Sequence, residues 1–494
     1  MNHFLPTIRL AFLLLICALS GASVAIAQDD TSSSAPGTPP PAATAPAEQN
    51  NAENPPLSGL DQPVAEPAFG GRSYLVPGVQ VSETADSNAA STSTKTSHTS
   101  EISRALVSLD MQKIWKQYQL GIDYIAGGDF YAGPLLTKTH GRATQVHTFA
   151  ADQRILWRTG QLAIRDSFSY LPEGTFGFSS FGGAGSVGSA LGGSGAGTGL
   201  GGGISGGTPS GLFGGGQYGG SQPRFDNNSI VDIVQGLSPR STVTLAAGYN
   251  FTNYLNVTKS NTGFNIVNSQ QTTGQIGYNH LISRKDQIGL QYAFEEFHFP
   301  RAGSGTINAH VWNALYGHRV TGKLNLTLAG GPQLVIIRNP IFTSHAISAN
   351  GTLSLAYTIS SRTHAQLMYQ RYVTPGSGFY AGANTDAARV TLNHMLGRRW
   401  TASGDFGYSH NTNLQKPSST STVGVGSRTY QFFYAGGSLQ RQLSKHFSLA
   451  LSYQFNDTGI GQCTGGNSSV CGLTSRRHTG MIGINWHPRP IRLD

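Results

Sequence analysis

The sequence predicts an all-β fold: a transmembrane antiparallel β-barrel of about eighteen strands. Three observations predict it. From about residue 74 to the C-terminus, strand-like stretches of some 11–15 residues are joined alternately by a tight basic turn and a long polar loop. Along most stretches the apolar residues occupy every second position, as they do when one face of a strand meets lipid. An apolar N-terminal run with the features of an export signal precedes these strands.

The N-terminal region predicts two segments that lie outside the barrel. Residues 1–27 have the features of a signal peptide: Arg9, an apolar run from Leu10 to Leu19, and small residues at Ala25 and Ala27. The run is too short to cross ~30 Å of bilayer comfortably, which disfavours an uncleaved anchor helix. Residues 28–70 are rich in Pro, Ala, Ser and Asn and predict a disordered linker.

Eight tight turns divide residues 71–494 into strand pairs. They are centred near Lys116-Gln117, Thr159-Gly160, Pro239-Arg240, Arg284-Lys285, Thr321-Gly322, Ser361-Arg362, Gly397-Arg398 and Ser444-Lys445. These turns pair sixteen strands, and two more, at about 475–487 and at Tyr74 to Asp86, bring the total to eighteen. Sixteen is the runner-up, because Pro77 weakens the first strand. A soluble β-sandwich would also alternate, but with strands nearer 5–6 residues.

The alternation assigns side chains to two faces of the predicted wall. The lumen-facing candidates are Thr242, Thr244, Asn250, Thr352, Ser354, Thr358, Ser448, Ser452 and Gln454. The lipid-facing candidates are Val243, Leu245, Leu353, Leu355, Phe447, Leu449, Leu451 and Tyr453. Two stretches fit less well: residues 428–443 carry apolar residues on both faces, and Glu295-Glu296 interrupts its strand. We interpret both as β-bulges.

Two loops carry unusual residues. The segment 176–222 is a Gly-rich insertion in a long-loop slot, and two interpretations stay open: a floppy surface loop, or a constriction loop folded into the lumen. Removal of the signal peptide leaves Cys463 and Cys471, whose even number in an exported chain favours a disulfide. A metal pair is the alternative, but the residues between them include no His or Asp.

The pattern from about residue 74 to 487, closing on Ile482, Ile484 and Trp486, resembles the porin-like β-barrels of Gram-negative outer membranes. No subfamily is indicated, and the tail from His487 to Asp494 departs from the many members that end on the aromatic residue. The resemblance implies a bacterial outer-membrane location, contact with its lipids, and handling by its assembly machinery. It also implies a channel for passive diffusion of small hydrophilic solutes. The oligomeric state, a trimer included, stays open.

In such a barrel the short turns lie on the periplasmic side. Their basic residues then form a positive periplasmic rim that includes Arg240, Arg284, Lys285, Arg362, Arg398, Arg399 and Lys445. Two interpretations stay open: the rim binds lipid phosphates and hydrates the turns, or it gives the pore a mild anion preference.

Other function classes find little support. The formal net charge of +9 is dispersed over turns, without a nucleic-acid-binding motif. No nucleophile elbow or H-E-x-x-H motif is present, so we expect neither an enzyme nor a cofactor or metal site. The alternative to a channel is a barrel component of polymer or polysaccharide export or assembly, without open conductance of its own.

Overall fold

The computed structural model describes residues 56–58, 73–88, 98–133, 142–171, 224–255, 268–300, 305–338, 343–374, 382–414, 429–461 and 474–493. The predicted signal peptide, the Gly-rich insertion, the two cysteines and most of the predicted linker lie outside them. The strands are β1 (Tyr74–Asp86), β2 (Ser100–Ile114), β3 (Tyr118–Ala132), β4 (Ala143–Trp157), β5 (Gly160–Leu171), β6 (Arg224–Ser238), β7 (Ser241–Tyr254), β8 (Ser269–Leu281), β9 (Asp286–His298), β10 (Thr306–Thr321), β11 (Leu324–Arg338), β12 (Thr343–Ser360), β13 (Thr363–Thr374), β14 (Ala383–Met395), β15 (Trp400–Asn413), β16 (Thr429–Gln442), β17 (Phe447–Ile460), β18 (Thr474–Trp486) and the two-residue β19 (Ile491–Arg492). Within these ranges no helix has the length and apolar character needed to cross a bilayer.

The sheet is a closed antiparallel barrel of eighteen long strands. Each strand pairs with the next along the chain, and β18 pairs back onto β1, with Val79 opposite Trp486. This confirms the predicted eighteen strands, and the runner-up of sixteen is wrong. Pro77 lies between Leu75, which pairs with Ile491, and Val79. The proline is tolerated because its missing N–H falls where β1 has no partner on its closing side.

The eight predicted tight turns join β2 to β3, β4 to β5, and so on to β16 and β17. Alternate connections of an antiparallel meander lie at the same end of the sheet. All eight turns therefore lie at one end of the barrel, which we call the short-turn end. The chain enters β1 and leaves β19 at this end too, where the Leu493 amide donates to the Ser73 carbonyl at 3.3 Å.

The bulge interpretation is wrong for both irregular stretches. The described register shifts lie beside turns, near Gly236, Thr321 and Ser360, and β9 and β16 pair with their neighbours without a shift. Apolar residues occur on both faces of β16 because Tyr430, Phe432 and Tyr434 are buried on its inner face. Glu295 is likewise buried in β9.

The buried face of the sheet is the inner face. One buried cluster joins Phe297 of β9, Ile307 of β10, Val335 of β11 and Val373 of β13. Strands β9 and β13 are four positions apart in the sheet, so their side chains meet only on the concave side of a closed wall. Buried positions on the inner face alternate along a strand with exposed positions on the outer face, as at Thr244 and Leu245.

Part of the predicted linker is also inside. Leu57 and Ser58 are both buried, and both contact the inner wall. Residues 48–494 form one compact unit, to which this short segment belongs. The linker prediction stays a prediction for the remainder of residues 28–70.

Candidate functional site: the barrel interior

The two predicted sets of facing residues occupy opposite faces of the wall. Of the lumen-facing candidates, Thr244, Thr352, Ser354, Ser448 and Gln454 are buried, and Thr242, Asn250, Thr358 and Ser452 are half-buried. Of the lipid-facing candidates, Leu245, Leu451 and Tyr453 are exposed, and Val243, Leu353, Leu355, Phe447 and Leu449 are half-buried. The polar set therefore lies on the same inner face as the buried clusters.

A group of carboxamide side chains dominates one sector of the interior. Its buried members, from β8 to β12, are Gln271, Gln275, Asn279, Gln287, Gln291, Asn313, Gln333 and Asn350. Several of their oxygen and nitrogen atoms, those of Gln291 among them, have no hydrogen-bond partner in the described part of the chain. Buried amides need such partners, so this sector is suited to water or to a hydroxylated solute.

Paired charges line other sectors of the interior. The Arg104 guanidinium binds both carboxylate oxygens of Asp129, at 2.6 and 2.7 Å. Arg389 Nε donates to Asp405 at 2.9 Å, and the Tyr434 hydroxyl donates to the same carboxylate at 3.0 Å. The short strand spacing allows these pairs to form across neighbouring strands, where each arginine is neutralised by an aspartate.

The same arrangement recurs at Arg165 and Asp232, whose Nη2 and Oδ1 atoms are 2.9 Å apart, and at Arg477 and Asp86. Arg165 also has Nε and Nη1 atoms that are buried without a partner among the described residues. These inner arginines therefore add little net charge to the wall, although they retain donors for a passing solute or water.

The predictions made from the sequence do not include these pairs, although one signal for them is present in the sequence. Arg104 and Asp129 are equidistant from the predicted turn at Lys116-Gln117, and the structure pairs them directly across β2 and β3. Opposite charges at cross-strand positions favour each other. The amide sector offers no such signal, because in sequences such as Gln270-Gln271-Thr272-Thr273 both faces are polar.

The seven residues of the predicted basic rim all lie in or beside short turns. Each one, Arg240, Arg284, Lys285, Arg362, Arg398, Arg399 and Lys445, is exposed. Tryptophans accompany them: Trp115 and Trp486 are exposed at the same end, and Arg441 lies over the Trp400 ring at 5.1 Å. Aromatic and basic side chains together are typical of a membrane interface.

The described residues include no group of three His, Cys, Asp or Glu side chains placed to hold a metal ion. What the interior offers instead is a set of hydrogen-bonding groups: amides, hydroxyls and paired guanidinium groups. Such groups bind and release polar solutes without changing them covalently.

Comparisons with known proteins find solved structures of similar shape but assign no family to this chain. No family model and no curated protein matches this chain. Among solved structures, OccAB4 of Acinetobacter baumannii is 10% identical, with a TM-score of 0.41, over 86% of this chain and 100% of that one. OccK2 (OpdF) of Pseudomonas aeruginosa, solved in complex with glucuronate, is 8% identical, with a TM-score of 0.41 and the same shares. The outer membrane protein OpdK of Pseudomonas aeruginosa is 10% identical, with a TM-score of 0.40, over 84% of this chain and 98% of that one. Similarity at this level assigns neither a family nor a solute.

Proposed function

We propose that this protein is an outer-membrane channel through which small hydrophilic solutes diffuse passively. The observation that carries the proposal is the wall itself: a closed sheet of eighteen long strands, with many polar side chains among the buried residues of its inner face and a largely apolar outer face. Barrels of 16–18 strands are wide enough to enclose an aqueous channel. A soluble protein would bury its apolar face, whereas here the outer face exposes residues such as Leu245, Leu290 and Tyr453.

In this proposal the outer face meets lipid. Leu245, Leu451 and Tyr453 represent the apolar band, and the basic turns with their tryptophans lie at the periplasmic interface. The outer-membrane lipids and the barrel-assembly machinery are the partners that such a band requires. Both termini of the barrel then lie in the periplasm, because the chain enters and leaves the sheet at the short-turn end.

The composition of the inner wall supports small polar solutes of no single charge. The amide side chains are themselves uncharged, and the described arginines of the interior have aspartates beside them. A wall of this kind exchanges hydrogen bonds with water and solute at similar strength, so a solute is neither repelled nor trapped.

The test is a single-channel recording from the mature chain refolded into a planar bilayer under a salt gradient. Discrete, long-lived open steps support the channel. A matched variant, Gln333→Lys, shows whether the current passes along this wall: a charge added to the interior shifts the reversal potential toward anion preference, whereas current from a contaminant is unaffected. Silence from protein shown to be folded and inserted overturns the proposal. It favours the alternative of a barrel that serves polymer export or assembly.

A further inference from the structure

A short segment of the N-terminal region is bound inside the barrel. Pro56, Leu57 and Ser58 precede the first strand, with the 15 residues 59–73 in between, and lie next to the inner wall near the short-turn end. Ser58 is fully buried, with 0% of its surface exposed, and Leu57 retains 8%. No strand pairing holds this segment, so its contacts with the wall must account for its position.

The polar groups of Ser58 are all matched by the wall. Its backbone amide donates to Asn279 Oδ1 at 3.0 Å, and its carbonyl accepts from Gln275 Nε2 and from the Thr244 hydroxyl, the latter at 3.1 Å. Because the Thr244 proton is used on that carbonyl, the Ser58 hydroxyl donates to Thr244 Oγ1 at 2.6 Å and accepts from Asn279 Nδ2.

The apolar part of the segment has its own site on other strands. Leu57 packs against Leu315 of β10 and Ala329 of β11, whereas Ser58 is held by β7 and β8. Two adjacent residues thus bridge strands on either side of β9. The contacts extend over a sector of the inner wall that spans five strands.

Two glycines in the wall provide the space for the segment. A Cβ atom on Gly277 would overlap Ser58 Cβ, and a Cβ atom on Gly317 would lie 3.1 Å from Leu57 Cδ2. Any other residue at Gly277 would exclude Ser58 from its position. The wall therefore combines matched hydrogen-bonding groups with a matched surface shape at the same place, which we call the Ser58 seat: Thr244, Gln275, Gly277 and Asn279 of β7 and β8.

We propose that Pro56–Ser58 is a tethered internal ligand of the barrel, which occupies the Ser58 seat and narrows the channel near its periplasmic mouth. The narrowing rests on the proposed channel function, whereas the occupancy of the seat does not. The residues 59–73 span at most roughly 50 Å when extended. A released segment thus stays close to its seat at a high effective concentration, so release is reversible.

Occupancy is tested by disulfide formation in the full mature chain, with Cys463→Ser and Cys471→Ser as the background. The pair Ser58→Cys/Thr244→Cys brings two side chains together whose hydroxyl oxygens are now 2.6 Å apart. Leu245 is the matched control partner, because it is adjacent in sequence and points to the outer face. We expect mass spectrometry of oxidised membranes to find the 58–244 bridge and little of the 58–245 bridge. Equal yields, or neither bridge, overturn the proposal.

A second experiment compares two variants of β8, one with a methyl group added on the inner face and one with a methyl group added on the outer face. Gly277→Ala displaces Ser58, whereas Gly274→Ala adds a methyl group with no atom within 4 Å. We expect Gly277→Ala to lower the yield of the 58–244 bridge at least fivefold and to raise the single-channel conductance. Gly274→Ala should match the parent in both readouts. Identical behaviour of the two variants overturns the proposal.

Failure of the proposed channel function and failure of the proposed narrowing give different experimental results. If no variant conducts although each is folded and inserted, the channel function and the narrowing are both wrong, and the bridge yields alone decide whether the seat is occupied. If the barrel conducts and the bridge forms, but Gly277→Ala and a deletion of residues 50–60 leave the conductance unchanged, the narrowing is wrong.

Discussion

At the scale of single residues, the interior depends on charges that compensate each other. Arg389 and Asp405 retain 5% and 12% of their side-chain exposure, and Tyr434 adds a hydrogen bond to the carboxylate. Forming such a pair gains little net stability, because both ions lose their hydration. Removing one partner is costly, since the other charge then stays buried without compensation.

Asp405→Asn is therefore expected to lower the free energy of unfolding by about 3–5 kcal/mol. The measurement is urea-induced unfolding in lipid vesicles, followed by tryptophan fluorescence. The double variant Arg389→Gln/Asp405→Asn is the control, because it removes both charges and should recover part of the loss. A single variant as stable as the parent would show that solvent reaches this pair freely.

Glu295 is the opposite case. It is 1% exposed, and its Oε1 atom has no hydrogen-bond partner in the described part of the chain. Glu295→Gln keeps the shape of the side chain and removes a buried ionisable group, so we expect the free energy of unfolding to stay equal or to rise. The same urea titration measures it. A loss comparable to that of Asp405→Asn would mean that the carboxylate has a partner essential for folding.

At the scale of the strand, facing is tested by two adjacent residues of β17. Leu451 is 41% exposed, and Ser452 lies on the inner side of the same strand. Leu451→Arg places a charge in the lipid band and is expected to cost ~2–4 kcal/mol of folding free energy, whereas Ser452→Arg should be mild. Heat-dependent mobility of the folded barrel in gels, alongside urea titration, compares the two. Equal stability of both variants would contradict the assigned facing.

Strand positions were predictable from the sequence because their determinants are local. Turn residues and the two-residue period place the strand from Tyr74 to Asp86 within its observed bounds, Pro77 included. The interior of β16 was misread, because Tyr430, Phe432 and Tyr434 occupy positions where other strands place small polar residues. Among the arginine–aspartate pairs, the turn position indicates only that of Arg104 with Asp129, because the others are offset in register. The Ser58 seat depends on a remote segment, which no local pattern specifies.

The C-terminal tail is another element whose role depends on a remote partner. Strand β19 pairs Ile491 with Leu75, and the Lys113 ammonium donates to the Leu493 carbonyl. Ending the chain at His487 removes these contacts but keeps the closing pairing of β1 with β18. Since a net hydrogen bond contributes about 0.5–1.5 kcal/mol, we expect a lower melting temperature with the barrel still formed. An unchanged melting temperature, by calorimetry in detergent, would show that the tail contributes no stability.

At the scale of the whole molecule, the exposed basic side chains of the short turns lie together at one end of the barrel. The inner arginines described above have aspartates beside them, whereas the seven rim residues are exposed around the short-turn end. A ring of like charge at a pore mouth raises the local concentration of the opposite ion. The rim, rather than the wall, is therefore expected to set the ion preference of the proposed channel.

Replacing Arg240, Arg284, Lys285, Arg362, Arg398, Arg399 and Lys445 together with Gln is expected to lower the ratio of anion to cation permeability. The measurement is the reversal potential under a potassium chloride gradient, and replacing the five arginines with Lys is the control that keeps the charge. The difference in reversal potential between the Gln variant and the parent should shrink toward 1 M salt, because the screening length falls from about 10 Å at 0.1 M to about 3 Å at 1 M. An unchanged reversal potential would mean that the basic turns serve only lipid phosphates and hydration, and that the preference arises within the wall.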